Sequence, residues 1–136
     1  MTLVVDASVA IRWFFELDGS DRAERILRTE QPLIAPDLII AEITNAAWKF
    51  VTFDNVPVDA AIAILREVTK PFDEFVPSAE LKDRALAIAL ELSHAAYDCF
   101  YLALAEIRRT RVVTADERLV RRCERTRFAG LMTPMS

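Results

Sequence analysis

Glycine and histidine are nearly missing from this chain, which has two Gly and one His in 136 residues. So few glycines leave little room for flexible linkers. With 53% apolar and 28% charged residues, the composition describes an ordered, helix-rich globule and excludes a disordered chain. The lone histidine, His94, and two isolated cysteines, Cys99 and Cys123, do not make up the close-spaced ligand set of a zinc site or a redox pair. Both thiols are expected to be reduced, in or near the core. His94 reads as a cap or surface residue at a helix junction. No stretch approaches the roughly 20 apolar residues of a membrane span, and the opening residues show no basic or long apolar targeting region. A soluble, cytoplasmic protein without a membrane partner is expected, folded as one α/β domain over residues 1–136.

The net charge of −4 argues against a general nucleic-acid coat, but the charge is unevenly spread. Residues 108–127 hold eight arginines against Asp116, Glu117 and Glu124, a local excess of five positive charges beside a body carrying −9. Such a flank is either a phosphate footprint, with Arg118, Arg121 and Arg122 as its candidates, or a solvated helix face.

Hydrophobic patterning predicts short buried strands separated by helices. Leu3–Val5 is an apolar run ended by Asp6. A helix is expected over Ala7–Leu17, then a short one over Asp21–Arg28, a strand at Leu33–Ala35, and a helix opened by Pro36-Asp37 and reaching about Phe53. Val58–Thr69 places Ala61, Ile62, Leu65 and Val68 on one helical face. A strand over Phe72–Val76, a Ser78-capped helix, an apolar helix over Ala95–Arg109, a strand at Arg111–Thr114, a basic helix over Asp116–Thr126 and a last strand near Gly130–Thr133 complete the reading. Alternation of this kind implies right-handed βαβ crossovers and a parallel sheet covered on both faces.

In such sheets ligands bind beyond the carboxyl ends of the strands, where strand order reverses. Asp6 ends the first strand and Asp116 follows the Val112–Thr114 run by two positions, although each also suits a helix N-cap. Ser8 and Thr114 stand at the same turns, able to cap or to hold a metal-bound water. Asp98 is the only charge between Ala95 and Ala105, and Glu42 lies mid-helix among apolar neighbours, where a salt bridge to Arg12 or Lys49 is the alternative. Asn45 shares the Glu42 face and could orient a carboxylate or pair with backbone. Buried carboxylates need a partner, and hard divalent cations prefer oxygen donors, so Asp6, Glu42, Asp98 and Asp116 form a candidate site for Mg²⁺ or Mn²⁺.

Taken together, Val4-Val5-Asp6-Ala7-Ser8, the segment leading to Glu42, Tyr97-Asp98-Cys99-Phe100-Tyr101-Leu102-Ala103-Leu104-Ala105 and Val113-Thr114-Ala115-Asp116 resemble the PIN-domain family, and especially its VapC-type toxin ribonucleases. The resemblance spans nearly the whole chain. It implies a three-layer α/β/α fold with strand order 3-2-1-4-5, a metal-dependent endoribonuclease activity, and Asp6, Glu42 and Asp98 as the main acids with Asp116 as the less regular fourth. It also implies an RNA substrate, a cognate antitoxin and a homodimer. Trp13, Phe14, Phe15, Trp48, Phe50 and Phe53 offer either core packing or partner contacts. Two other enzyme-like readings fit poorly. A phosphohydrolase with an aspartate nucleophile commonly has a second Asp where Ser8 stands, and a receiver domain needs a late lysine, whereas every basic residue beyond Lys82 is arginine. A non-catalytic module that binds RNA or a partner is the remaining alternative.

Overall fold

The computed structural model describes residues 2–135. Its centre is a five-stranded parallel sheet of β1 (Leu3–Val5), β2 (Leu33–Pro36), β3 (Glu74–Val76), β4 (Val112–Thr114) and β5 (Met132–Pro134), in the order β3-β2-β1-β4-β5. Val4 and Val5 are fully buried in the middle strand, with Val4 opposite Ile34 on one side and Val112 on the other. A strand covered on both faces must be apolar at every position, which is why β1 carries no alternation.

The connections from β1 to β3 run through α1 (Ala7–Ala10), α2 (Ser20–Leu27), α3 (Leu38–Asp54) and α4 (Val58–Glu67). Those from β3 to β5 run through α5 (Ser78–Leu92), α6 (Ala96–Arg108) and α7 (Glu117–Cys123). Right-handed crossovers that step leftward and then rightward from the centre put the two groups on opposite faces. Helix α6 packs on β1, β2 and β4 and pairs along its length with α5, so Leu102, Leu104 and Ala105 are completely buried. Cys99 and Cys123 are free and buried, and burial pushes the Cys99 thiol up to about 11. Among the described residues no helix is long and apolar enough to cross a membrane.

The structure departs from the sequence reading at several element ends, and the causes are tertiary. The first helix stops at Ala10 and tightens into a 3₁₀ turn over Ile11–Trp13, rather than running to Leu17. There the Trp13 indole donates to the Ala23 carbonyl at 2.9 Å, and the Arg12 guanidinium donates to Ser8 O at 2.6 Å and Asp18 O at 2.8 Å, folding the chain back. Pro36 closes β2 beside Val76 instead of opening α3. Asp37 follows it, its N–H donating to Val76 O at 2.8 Å and its carboxylate accepting from the Ser78 N–H and hydroxyl. Ser78 therefore ties α5 to the start of α3 rather than capping its own helix.

With only two glycines available, three helices end on non-glycine residues in the left-handed conformation, Asn55, Ser93 and Arg109. Asparagine tolerates this at little cost, whereas Ser93 and Arg109 each give up on the order of 1 kcal/mol.

Candidate active site

The chain leaves β1 at the centre of the sheet toward β2 and later crosses back to β4, so the switch point lies between β1 and β4. Asp6 and Thr114 are side by side there, and both are buried, Asp6 at 6% exposure. The backbone N–H of Ala115 donates to Ser8 Oγ at 2.9 Å, and that of Asp116 donates to Thr114 Oγ1 at 2.9 Å. Each hydroxyl then has its own hydrogen free for Asp6. Ser8 donates to Oδ1 at 2.5 Å and Thr114 to Oδ2 at 2.5 Å, while Val9 N–H adds a bond to Oδ1 at 3.2 Å. Chains of this kind strengthen one another in a low-dielectric site. Asp6 thus caps α1 and is gripped at both oxygens.

Burial nevertheless dominates. It pushes the Asp6 carboxyl up to about 6 despite these donors, and the charge of Asp98 pushes in the same direction. The Glu42 carboxyl is raised chiefly by burial, partly offset by Tyr101, with Asp6 and Asp98 adding repulsion. Three of the four acids therefore act on one another. Glu42 is not paired with Arg12 or Lys49. Its partner is Tyr101, three residues after Asp98 on α6, whose hydroxyl donates to Oε1 at 2.5 Å. That phenol is buried and held well above its ordinary pKa by burial and by the Glu42 charge. Tyr101→Phe should lower stability by about 1.5 kcal/mol, since it removes a bond to a charged acceptor and leaves Oε1 undersatisfied. A urea midpoint lowered at unchanged m-value would show it.

Asp98 is half-buried rather than deeply buried, because it occupies the first turn of α6, and its Oδ2 lies 2.7 Å from His94 Nε2. His94 is consequently neither a cap nor a free surface residue. Asp116 caps α7, its Oδ1 accepting from Arg118 N–H at 2.9 Å and Leu119 N–H at 3.2 Å. Asn45 is exposed on α3.

Beside Thr114 and Asp116 opens a cleft of about 620 Å³ lined by Arg12, Arg22, Arg118 and Arg121 together with Asp18, Glu117 and Met135. The arginine-rich flank seen in sequence is thus divided. Arg118 and Arg121 face the cleft, Arg122 donates to the Leu92 and Ser93 carbonyls at 2.9 Å, and Arg108 and Arg127 form paired bonds to Glu74 and Glu91. Arg12 and Arg22 come from the opposite end of the chain and gave no sequence signal beyond their charge. Tyr101 could have been noticed as a hydroxyl one helical turn after Asp98.

The all-oxygen donors at the switch point suit a hard cation. Among the described residues, no three acidic, histidine or cysteine side chains stand close enough to form a ready-made coordination shell. The arrangement fits an ion that takes one or two carboxylates directly and keeps water elsewhere. Glu42 and Asp98 each have one oxygen in a hydrogen bond, through Oε1 and Oδ2, which leaves Oε2 and Oδ1 without a donor among the described residues.

A parallel 3-2-1-4-5 sheet bearing acids at its central switch point is the architecture of a PIN domain, and the chain belongs to that family, whose pattern matches residues 3–125. Ribonuclease VapC3 of Pyrobaculum aerophilum is 34% identical over 136 residues, covering 98% of this chain and 100% of that protein. The fold is shared with the crystal structure of PAE2754 from the same organism, at a TM-score of 0.74 and 24% identity, covering 99% of this chain and 84% of that one. It is shared as well with a toxin–antitoxin complex from Klebsiella pneumoniae (TM-score 0.66, 18% identity) and with VapBC2 from Rickettsia felis bound to a promoter DNA fragment (TM-score 0.70, 12% identity), each covering 98% of both chains.

Proposed function

We propose that this chain is the toxin of a toxin–antitoxin pair, an endoribonuclease dependent on Mg²⁺ or Mn²⁺ and acting in the cytoplasm. The observation that carries the reading is a set of three carboxyls, buried Asp6 with Glu42 and Asp98, in which Glu42 Oε2 and Asp98 Oδ1 have no donor among the described residues; burial and their mutual repulsion disfavour the charged forms, and a divalent cation offsets both. The 34%-identical relative is a ribonuclease, which supports RNA as substrate, and two proteins that share the fold are a toxin–antitoxin complex and VapBC2, which supports an antitoxin partner.

Asp98 and Glu42 would hold the ion through the oxygens that His94 and Tyr101 leave open, with buried Asp6 supplying charge behind them. A bound divalent ion supplies a water of lowered pKa and neutralises charge on the phosphoryl oxygens. Ser8, Thr114 and Tyr101 keep the acids from rotating, and the cleft arginines, Arg118 and Arg121 with Arg12 and Arg22, hold backbone phosphates in a salt-dependent manner. Asp116, fixed as the α7 cap, borders that cleft. A homodimer presenting two such sites is part of the same reading, with Trp48 and Phe53, exposed at 55% and 68% and packed edge to face, as surface for partner contacts.

Incubation of the purified protein with total RNA and Mn²⁺, with and without excess EDTA, tests the proposal. Fragments with 5′-phosphate and 3′-hydroxyl ends are expected only without chelator. RNA retained uncut in Mn²⁺ would instead point to a binding module, and cleavage insensitive to EDTA would remove the metal.

A further inference from the structure

We propose that His94 is a positioning residue for Asp98, holding Oδ2 so that Oδ1 remains the oxygen available to a divalent cation; this rests on the metal-dependent reading above. A carboxylate only accepts, so Nε2 carries the hydrogen in the 2.7 Å contact. The two side chains are 20% and 31% exposed, shielded enough that water competes less for the bond than at an open surface pair.

The carboxylate has an alternative. The N-cap of α6 is Ala95, which provides no side-chain cap, so the first-turn N–H groups of the helix are open to an acid in that turn. An unrestrained Asp98 can turn back toward them, and His94 opposes this.

His94 is itself held by the turn that carries it. Ser93 adopts the left-handed conformation at φ 52°, and the His94 N–H donates to Ala89 O at 3.1 Å. From α7, the Arg122 guanidinium donates through Nε to Leu92 O and through Nη2 to Ser93 O, both at 2.9 Å. Three links thus run in series: Arg122 fixes the end of α5 through two bonds, the end of α5 fixes His94, and His94 fixes Asp98. Two of the five N–H donors of Arg122 are used on this turn, and its side chain does not line the cleft.

The test is Mn²⁺ affinity of the whole protein without RNA, read from the electron paramagnetic resonance of the free ion, for wild type, His94→Leu, His94→Gln and Asp98→Asn. His94→Leu keeps bulk and removes the donor, and should weaken binding about tenfold; His94→Gln retains an amide donor and should stay within about threefold of wild type. If His94→Leu does not fold, His94→Ala replaces it with the same expectation. Wild-type affinity in the donorless variant, with the ion lost in Asp98→Asn, would overturn the positioning role and leave the metal site standing. Equal weakening in the Leu and Gln variants would also overturn it. Full ion binding in Asp98→Asn would overturn the metal-site reading itself, and the role of His94 with it.

Discussion

Asp98→Asn should leave a folded protein that cleaves RNA at least about a hundredfold more slowly in Mn²⁺ or Mg²⁺ than the wild type. The substitution is nearly isosteric and lies in the first turn of α6, which is anchored below by Cys99, Tyr101, Leu102 and Leu104. Packing therefore has little reason to change. What changes is the charge. Asp98 acts on both Asp6 and Glu42, and its neutral amide no longer attracts a cation through Oδ1. Cleavage time courses alongside far-UV circular dichroism separate the two effects. Wild-type rates in a folded Asp98→Asn would sink the assignment of the acids to the reaction.

Asp6→Asn should also abolish cleavage, yet raise stability at neutral pH. The Asp6 carboxyl moves from an ordinary 3.8 to about 6 in the folded protein, chiefly through burial. Between those values the native state binds more protons than the unfolded chain, so stability falls as pH rises from about 4 to about 6 and is level above. The two-unit shift corresponds to an upper bound of about 3 kcal/mol at pH 7. An asparagine escapes that cost while its amide still meets Ser8 and Thr114, whose hydroxyls can rotate. Denaturant melts without added metal should therefore show the variant ahead of wild type at pH 7 and level with it below pH 4, a gap of about 1 to 3 kcal/mol. A variant less stable at pH 7 would mean that the hydrogen bonds to Asp6 outweigh its burial.

The burial of these acids differs from what their neighbours in the chain imply. By sequence, Asp98 and Glu42 are the acids expected to be most firmly buried, because apolar residues surround them in the chain, while Asp6 and Asp116 rest on their positions after strands. In the fold Asp6 is the buried one, and Glu42, Asp98 and Asp116 are all partly exposed. Asp6 is the one almost sealed from solvent, whereas Asp98 opens onto the exposed N-terminal turn of α6. Asp116, for which the sequence leaves a cap and a metal ligand both open, is the N-cap of α7, fixed by two backbone donors. The aromatic set divides too. Trp13 and Phe15 are buried, Phe50 stacks on Phe15, and Phe14, Trp48 and Phe53 remain on the surface.

The sequence by itself determined the class of fold, the strands and helices in their order, and the acids at strand and helix ends, since periodicity and capping are local properties of neighbouring residues. Resemblance in four separated segments added the strand order. Only the tertiary structure decided which side chains serve the acids: Thr114 and Ser8 for Asp6, Tyr101 for Glu42, His94 for Asp98, and Arg122 for the turn beneath His94. Some of these partners lie up to 108 positions apart in the chain. A carboxylate desolvated at a sheet edge takes whatever donor the crossing elements bring within about 3 Å, and that choice is made by packing, which no local pattern records.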